Sequence, residues 1–93
     1  EMTMTGIKKY ISKEIIDTLP NWLIHFLWYL FEECARDDAQ FDGRFALRCT
    51  PDGQRIICRV NGHPYAVDMP CPDTADAEVE IVREGQRLVM CIP

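Results

Sequence analysis

An α+β fold, with one main N-terminal helix packed on a mainly antiparallel sheet of four to six strands, is predicted by three features of the sequence. The apolar run Trp22–Phe31 is interrupted only by His25, long enough for a helix but half of what a bilayer span needs. From Arg44 onward, apolar and polar residues alternate with period two, the pattern of half-buried strands. Between the alternating stretches stand turn signals, Thr50-Pro51-Asp52-Gly53, Asn61-Gly62 and Glu84-Gly85.

Taken in order, Gly6–Lys13 carries Ile7, Tyr10 and Ile11 among lysines and fits a short strand or an extended arm. Asp17 and Thr18 are suited to cap a helix N-terminus. Leu19-Pro20 then puts proline in the first turn, where the amide hydrogen it lacks has no partner anyway. A helix is predicted from about Thr18 to Arg36. At about 100° per residue, Asn21, His25, Glu32 and Arg36 share one narrow polar stripe, with Trp28 and Tyr29 on its two sides. The rest of the helix circumference is apolar, more than one face of a small sheet can cover. Loops, the N-terminal arm or a second subunit must wrap it.

Arg44–Cys49 reads as a half-buried strand, and Thr50–Gly53 turns the chain, with proline setting φ and glycine supplying positive φ. Gln54–Val60 returns with Ile56, Cys58 and Val60 on one face; Ile57 lies opposite, so pattern alone leaves the register open. Asn61-Gly62 is the strongest short hairpin signal, and Pro64 confines the next strand, His63–Met69, to a sheet edge. Pro70-Cys71-Pro72-Asp73 breaks the sheet, and Glu78–Arg83 with Arg87–Ile92 makes a last hairpin. With no repeat and no linker, residues 1–93 form a single compact domain that buries about two-thirds of its surface on folding.

Composition narrows function by exclusion. A hydrophobic content of 47% is that of a folded chain, and a net charge of −5 argues against direct nucleic-acid binding and against an anionic membrane surface. The five cysteines (Cys34, Cys49, Cys58, Cys71, Cys91) are odd in number and widely spaced. That is unlike a disulfide scaffold and lacks the close pair of a zinc site. They are expected as reduced thiols in a cytoplasmic protein, with a composite site of Cys58, Cys71 and His63 as the weaker metal alternative. Isolated glycines supply no phosphate-binding fingerprint, and no cofactor is expected. His25 lies on the polar stripe and His63 beside a turn, so neither marks a nucleophile–base pair.

Two surface features remain as candidate interfaces. Trp28 and Tyr29 border the polar stripe with His25 and Glu32, and aromatic residues anchor protein interfaces; the competing reading is that both bury against loops and complete the core. Glu78 and Glu80 point to the same face of one strand, roughly 6.6 Å apart along it, a spacing like that of successive phosphates.

Several short motifs resemble one bacterial family. Thr5-Gly6-Ile7, Ile16–Pro20 (IDTLP) and Phe26–Leu30 (FLWYL) are similar to the N-terminal signature of the domain of unknown function 960. Gln40-Phe41 with Phe45, Gln54–Ile57 (QRII), Pro64-Tyr65, and a terminal strand pair holding Ile81, Val82, Gly85 and Met90 extend the resemblance over most of the chain. It implies a small intracellular protein of Gram-positive bacteria, their phages or mobile elements, with no established activity and no catalytic residue to carry over. The expected function is therefore a non-enzymatic protein-binding or regulatory module with a protein partner or a second copy as its target. One alternative is a phage-type, anti-CRISPR-like inhibitor whose acidic surface blocks the nucleic-acid groove of a host defence nuclease. A second is a thiol-based redox protein.

Overall fold

The computed structural model describes residues 7–93, which begin with an edge strand that leads into the helical segment. β1 (Lys8–Ile11) ends at Ser12, whose side-chain oxygen accepts a hydrogen bond from the Ile15 amide at 3.3 Å. That bond satisfies one of the amides a first helical turn leaves unpaired, and α1 (Lys13–Thr18) starts there. α1 stops at Leu19 (φ −102°, ψ 141°), because the residue before a proline is pushed out of the helical region. α2 (Asn21–Cys34) then builds on the Pro20 carbonyl, which accepts from the Leu23 and Ile24 amides at 3.0 and 3.3 Å. The helix expected over Thr18–Arg36 is thus shortened to α2, and α1 before it is a second helix that the sequence reading did not place. Asp17 and Thr18, expected as caps, close α1, and α2 has no side-chain cap.

Five further strands follow: β2 (Arg44–Thr50), β3 (Gly53–Val60), β4 (His63–Pro70), β5 (Ala77–Glu84) and β6 (Arg87–Cys91). The sheet order is β1-β6-β5-β2-β3-β4. β1 pairs with β6 in parallel, Lys8 beside Arg87 and Ile11 beside Met90, and the other pairs are antiparallel, so the six-stranded sheet is mixed. Asn61 and Gly62 take φ of 54° and 79°, the left-handed pair a tight hairpin turn needs. Gly53 corrects the sequence reading. It is not among the positive-φ glycines, and a Cβ there would lie 2.1 Å from the Met69 carbonyl oxygen, so close backbone approach explains it.

Pairing also settles the register that the alternation left open. Ile56 lies between Leu47 and Val67, and Ile57 between Ala46 and Ala66. Ile56 is buried, with Leu47, Phe45 and Val79, in one cluster with Ile15, Leu19, Leu23 and Leu27 of the helical segment. Gln54, Cys58 and Val60 share that helix-covered face by parity, and Arg55, Ile57 and Arg59 face away. After β4 the chain crosses back over the end of the sheet to reach β5. Gln54, fully buried, pins this crossover: its amide donates to the Ala75 carbonyl at 3.0 Å and its oxygen accepts from the Ala75 amide at 2.8 Å. The Trp22 indole donates to the Asp73 carbonyl at 3.0 Å and ties the same segment to the start of α2.

Candidate docking groove

The wide apolar arc of α2 is covered unevenly. Leu23, Ile24 and Leu27 form its centre in the core. Trp28 joins them at 8% exposure: the Lys9 ammonium of β1 lies 5.5 Å from its ring centroid and reaches on to Glu32 at 2.8 Å. Trp28 is thereby corrected from an interface anchor to a core residue, because the N-terminal strand lays a lysine stem across it. Tyr29, on the other side of the polar stripe, stays 56% exposed and stacks on Phe26 with centroids 6.0 Å apart. His25 and Glu32 are exposed on the outer surface of α2, as the wheel places them.

The flank of α2 facing β3 and β4 is left half-buried along one row, Trp22, Phe26, Leu30 and Cys34, each four residues from the next. Beside it runs an apolar groove of about 270 Å³. Leu30 and Cys34 make its helix wall, Ile56 and Cys58 its floor, and Tyr65 with Val67 its outer wall. None of these side chains carries a charge. The Cys34 and Cys58 sulfurs are 3.9 Å apart. Burial raises both thiols above their usual value, Cys58 to about 12, where the neighbouring Cys34 adds to the effect. At neutral pH they stay protonated and pack as small hydrophobes.

The outer wall is a free sheet edge. Among the described residues, β4 pairs with β3 and has no strand on its other side. Pro64 and Pro70 have no amide hydrogen to donate to β3, so their parity is the one whose backbone points outward. Ala66 and Asp68 share that parity and present their N–H and C=O groups to the open edge, while Tyr65, Val67 and Met69 line the groove side.

The uncovered sheet face carries the predicted acidic pair in a different electrostatic state. Glu78 and Glu80 do share that face, but Glu78 is held by Arg48, and Glu80 by Arg44 at 3.2 Å. Arg48 and Arg55 stand directly opposite each other across β2 and β3, a like-charge pairing that destabilises a sheet. Each has its own carboxylate: Arg48 also reaches Asp76 at 3.7 Å, and Arg55 grips Asp68 with two bonds of 2.7 and 3.0 Å. The Arg55 bonds hold the Asp68 carboxyl below its usual range, and the same contacts raise Arg55 and, through Glu78, Arg48.

A larger cleft of about 600 Å³ at the end of α2 is mixed, with Glu32, Glu33, Arg36 and Arg83 beside Phe31, Ala35 and Leu88. Its two carboxylates bridge Lys9 and Arg36 at 2.8 and 3.1 Å. Among the described residues, no group of three or more His, Cys, Asp or Glu is placed to hold a metal, so Cys58, Cys71 and His63 are not brought together. Nor is any described helix long and apolar enough to cross a membrane.

The groove is what the sequence reading missed. Its signal was the four-residue row Trp22-Phe26-Leu30-Cys34 together with the alternation of Tyr65, Val67 and Met69 on a proline-bracketed edge strand. No protein-family model matches the chain, and no curated protein or solved structure is significantly similar to it.

Proposed function

We propose that this chain is a non-catalytic protein-binding module whose docking face is the groove between α2 and β4. The observation that carries this reading is an uncharged apolar groove opening directly beside an unpaired strand edge. Its outer wall carries Tyr65, 54% exposed, a residue type enriched at the energetic centres of protein interfaces. The charge-mimic alternative draws less support from the same geometry, since Glu78 and Glu80 are each neutralised by an arginine. At the groove the thiol-redox alternative lacks the thiolate it needs, because burial raises Cys34 and Cys58.

A photo-reactive residue tests the placement. Tyr65→p-benzoylphenylalanine should crosslink a protein partner in cells that express the chain, and the same replacement at Ile57, on the uncovered face, should not. Adducts from position 57 with none from position 65 would move the docking face to the other side of the sheet.

A further inference from the structure

We infer that the groove takes an extended peptide segment, which joins β4 as a seventh strand and sets alternate apolar side chains against Tyr65, Val67 and Leu30. The inference rests on the docking-face reading above and specifies its occupant. Three features of the site select an extended segment over a helix or a second copy of this chain.

The first is the hydrogen-bonding edge. Ala66 and Asp68 offer outward N–H groups, and Pro64, Ala66 and Asp68 offer outward carbonyls, a ladder bracketed by proline at both ends. A helix has no free main-chain groups to answer them, whereas an added strand does. The bracket also limits the ladder to about five residues of the partner, counted at alternate-residue spacing. The second is side-chain direction. In an added strand every other side chain projects to the groove face, in line with Tyr65 and Val67, so the partner needs apolar residues at i and i+2.

The third is size and charge. Tyr65, about half exposed on the outer wall, presents roughly 100 Å², given the area of an aromatic side chain. The half-buried groove residues add less, so the total falls well short of the roughly 800 Å² per partner of a standard protein–protein interface. A short peptide fits this area, and a stable homodimer needs much more. Among the described residues, Asp37, Asp38 and Asp73 make no ion pair. Asp37 and Asp38 follow the groove residue Cys34 in the chain, and the Asp73 carbonyl accepts from the Trp22 indole at the start of α2. A partner with Lys or Arg flanking its apolar core meets this charge.

The experiment is selection from a phage-displayed library of random short peptides against the full chain, followed by affinity measurement with the enriched peptide. Enriched sequences should show apolar residues at alternate positions between basic flanks. Ala66→Pro, which removes one outward donor at a position of the same parity as Pro64 and Pro70, should weaken binding about tenfold. N-methylation of the peptide at its ladder positions should do the same without touching the protein fold. Enrichment of helix-spaced ligands, the absence of any enrichment, a dimer by light scattering whose Ala66 and Asp68 amides are protected, or affinity indifferent to both changes would each overturn the inference. If Tyr65→Ser abolishes binding while Ala66→Pro and N-methylation do not, the groove stands and strand addition falls. If none of the three matters, the docking-face reading falls with it.

Discussion

The two long flanks of α2 are built from similar residues and end in different states. On the β1 side, Trp28 is sealed under Lys9, which also bonds Glu32. On the β4 side, Phe26 and Leu30 are only half-covered, and Tyr29 and Tyr65 stand in solvent above an apolar floor. The difference shows that coverage here is decided by which strand lies beside the helix. β1 lays the Lys9 stem over the Trp28 ring, while β4 sets Tyr65 and Val67 beside an open backbone edge.

Substitutions on the two flanks should separate stability from binding. Trp28→Ala should cost about 3–5 kcal/mol of folding free energy, the usual range for emptying a buried aromatic site. Tyr29→Ala should cost under about 1 kcal/mol and still weaken partner binding. Urea titrations of the two variants check this; equal losses would erase the contrast between the flanks.

Next in size is Gln54→Leu, which leaves the buried N–H and C=O of Ala75 without partners and should cost about 1–3 kcal/mol. Faster proteolysis between Cys71 and Asp76 would show that the crossover at the end of the groove has loosened.

The groove thiols give a smaller effect with a defined sign. Cys58 titrates near 9 in the unfolded chain and near 12 in the folded one, so the folded state keeps its proton longer. Its contribution to stability is present below pH 9 and is lost as pH rises from 9 towards 12. Cys58→Ala should flatten that alkaline decline in a series of urea melts. Exposed Cys49 should react with maleimide at pH 8 well before Cys58. The smallest change is expected on the uncovered face. Asp68 has a folded-state pKa below its ordinary 3.8, so its contribution is present above that value and lost as pH falls through the lower one. Asp68→Asn should remove this acid-limb slope, read by thermal melts between pH 2 and 5, together with the small stabilisation the Arg55 pair gives at neutral pH.

Much of the sheet was legible because its signals are local. Asn61-Gly62 makes its turn alone, and Pro64 marks β4 as an edge strand through the donor it lacks. β1 fell inside the stretch read as a short strand or arm, but its parallel pairing with β6 was not legible, since it joins residues nearly eighty positions apart and no local pattern encodes it. The break at Leu19 was missed because proline serves equally at the start of a helix and after the end of one. Trp28 and Tyr29 sit on opposite sides of the polar stripe on a helical wheel; only the position of β1 decides which is buried. Of the predicted interface residues, the acidic pair was placed on the right face, but the arginines that neutralise it come from β2.

Amide chemical-shift mapping of the isotope-labelled protein with a library-selected peptide tests the docking face most directly. The largest shifts should fall on Ala66, Val67 and Asp68 of the β4 edge and on Leu30 and Cys58 of the groove. Shifts centred on Ala46, Ile57 and Val82, with the β4 amides unmoved, would place binding on the uncovered sheet face and contradict it.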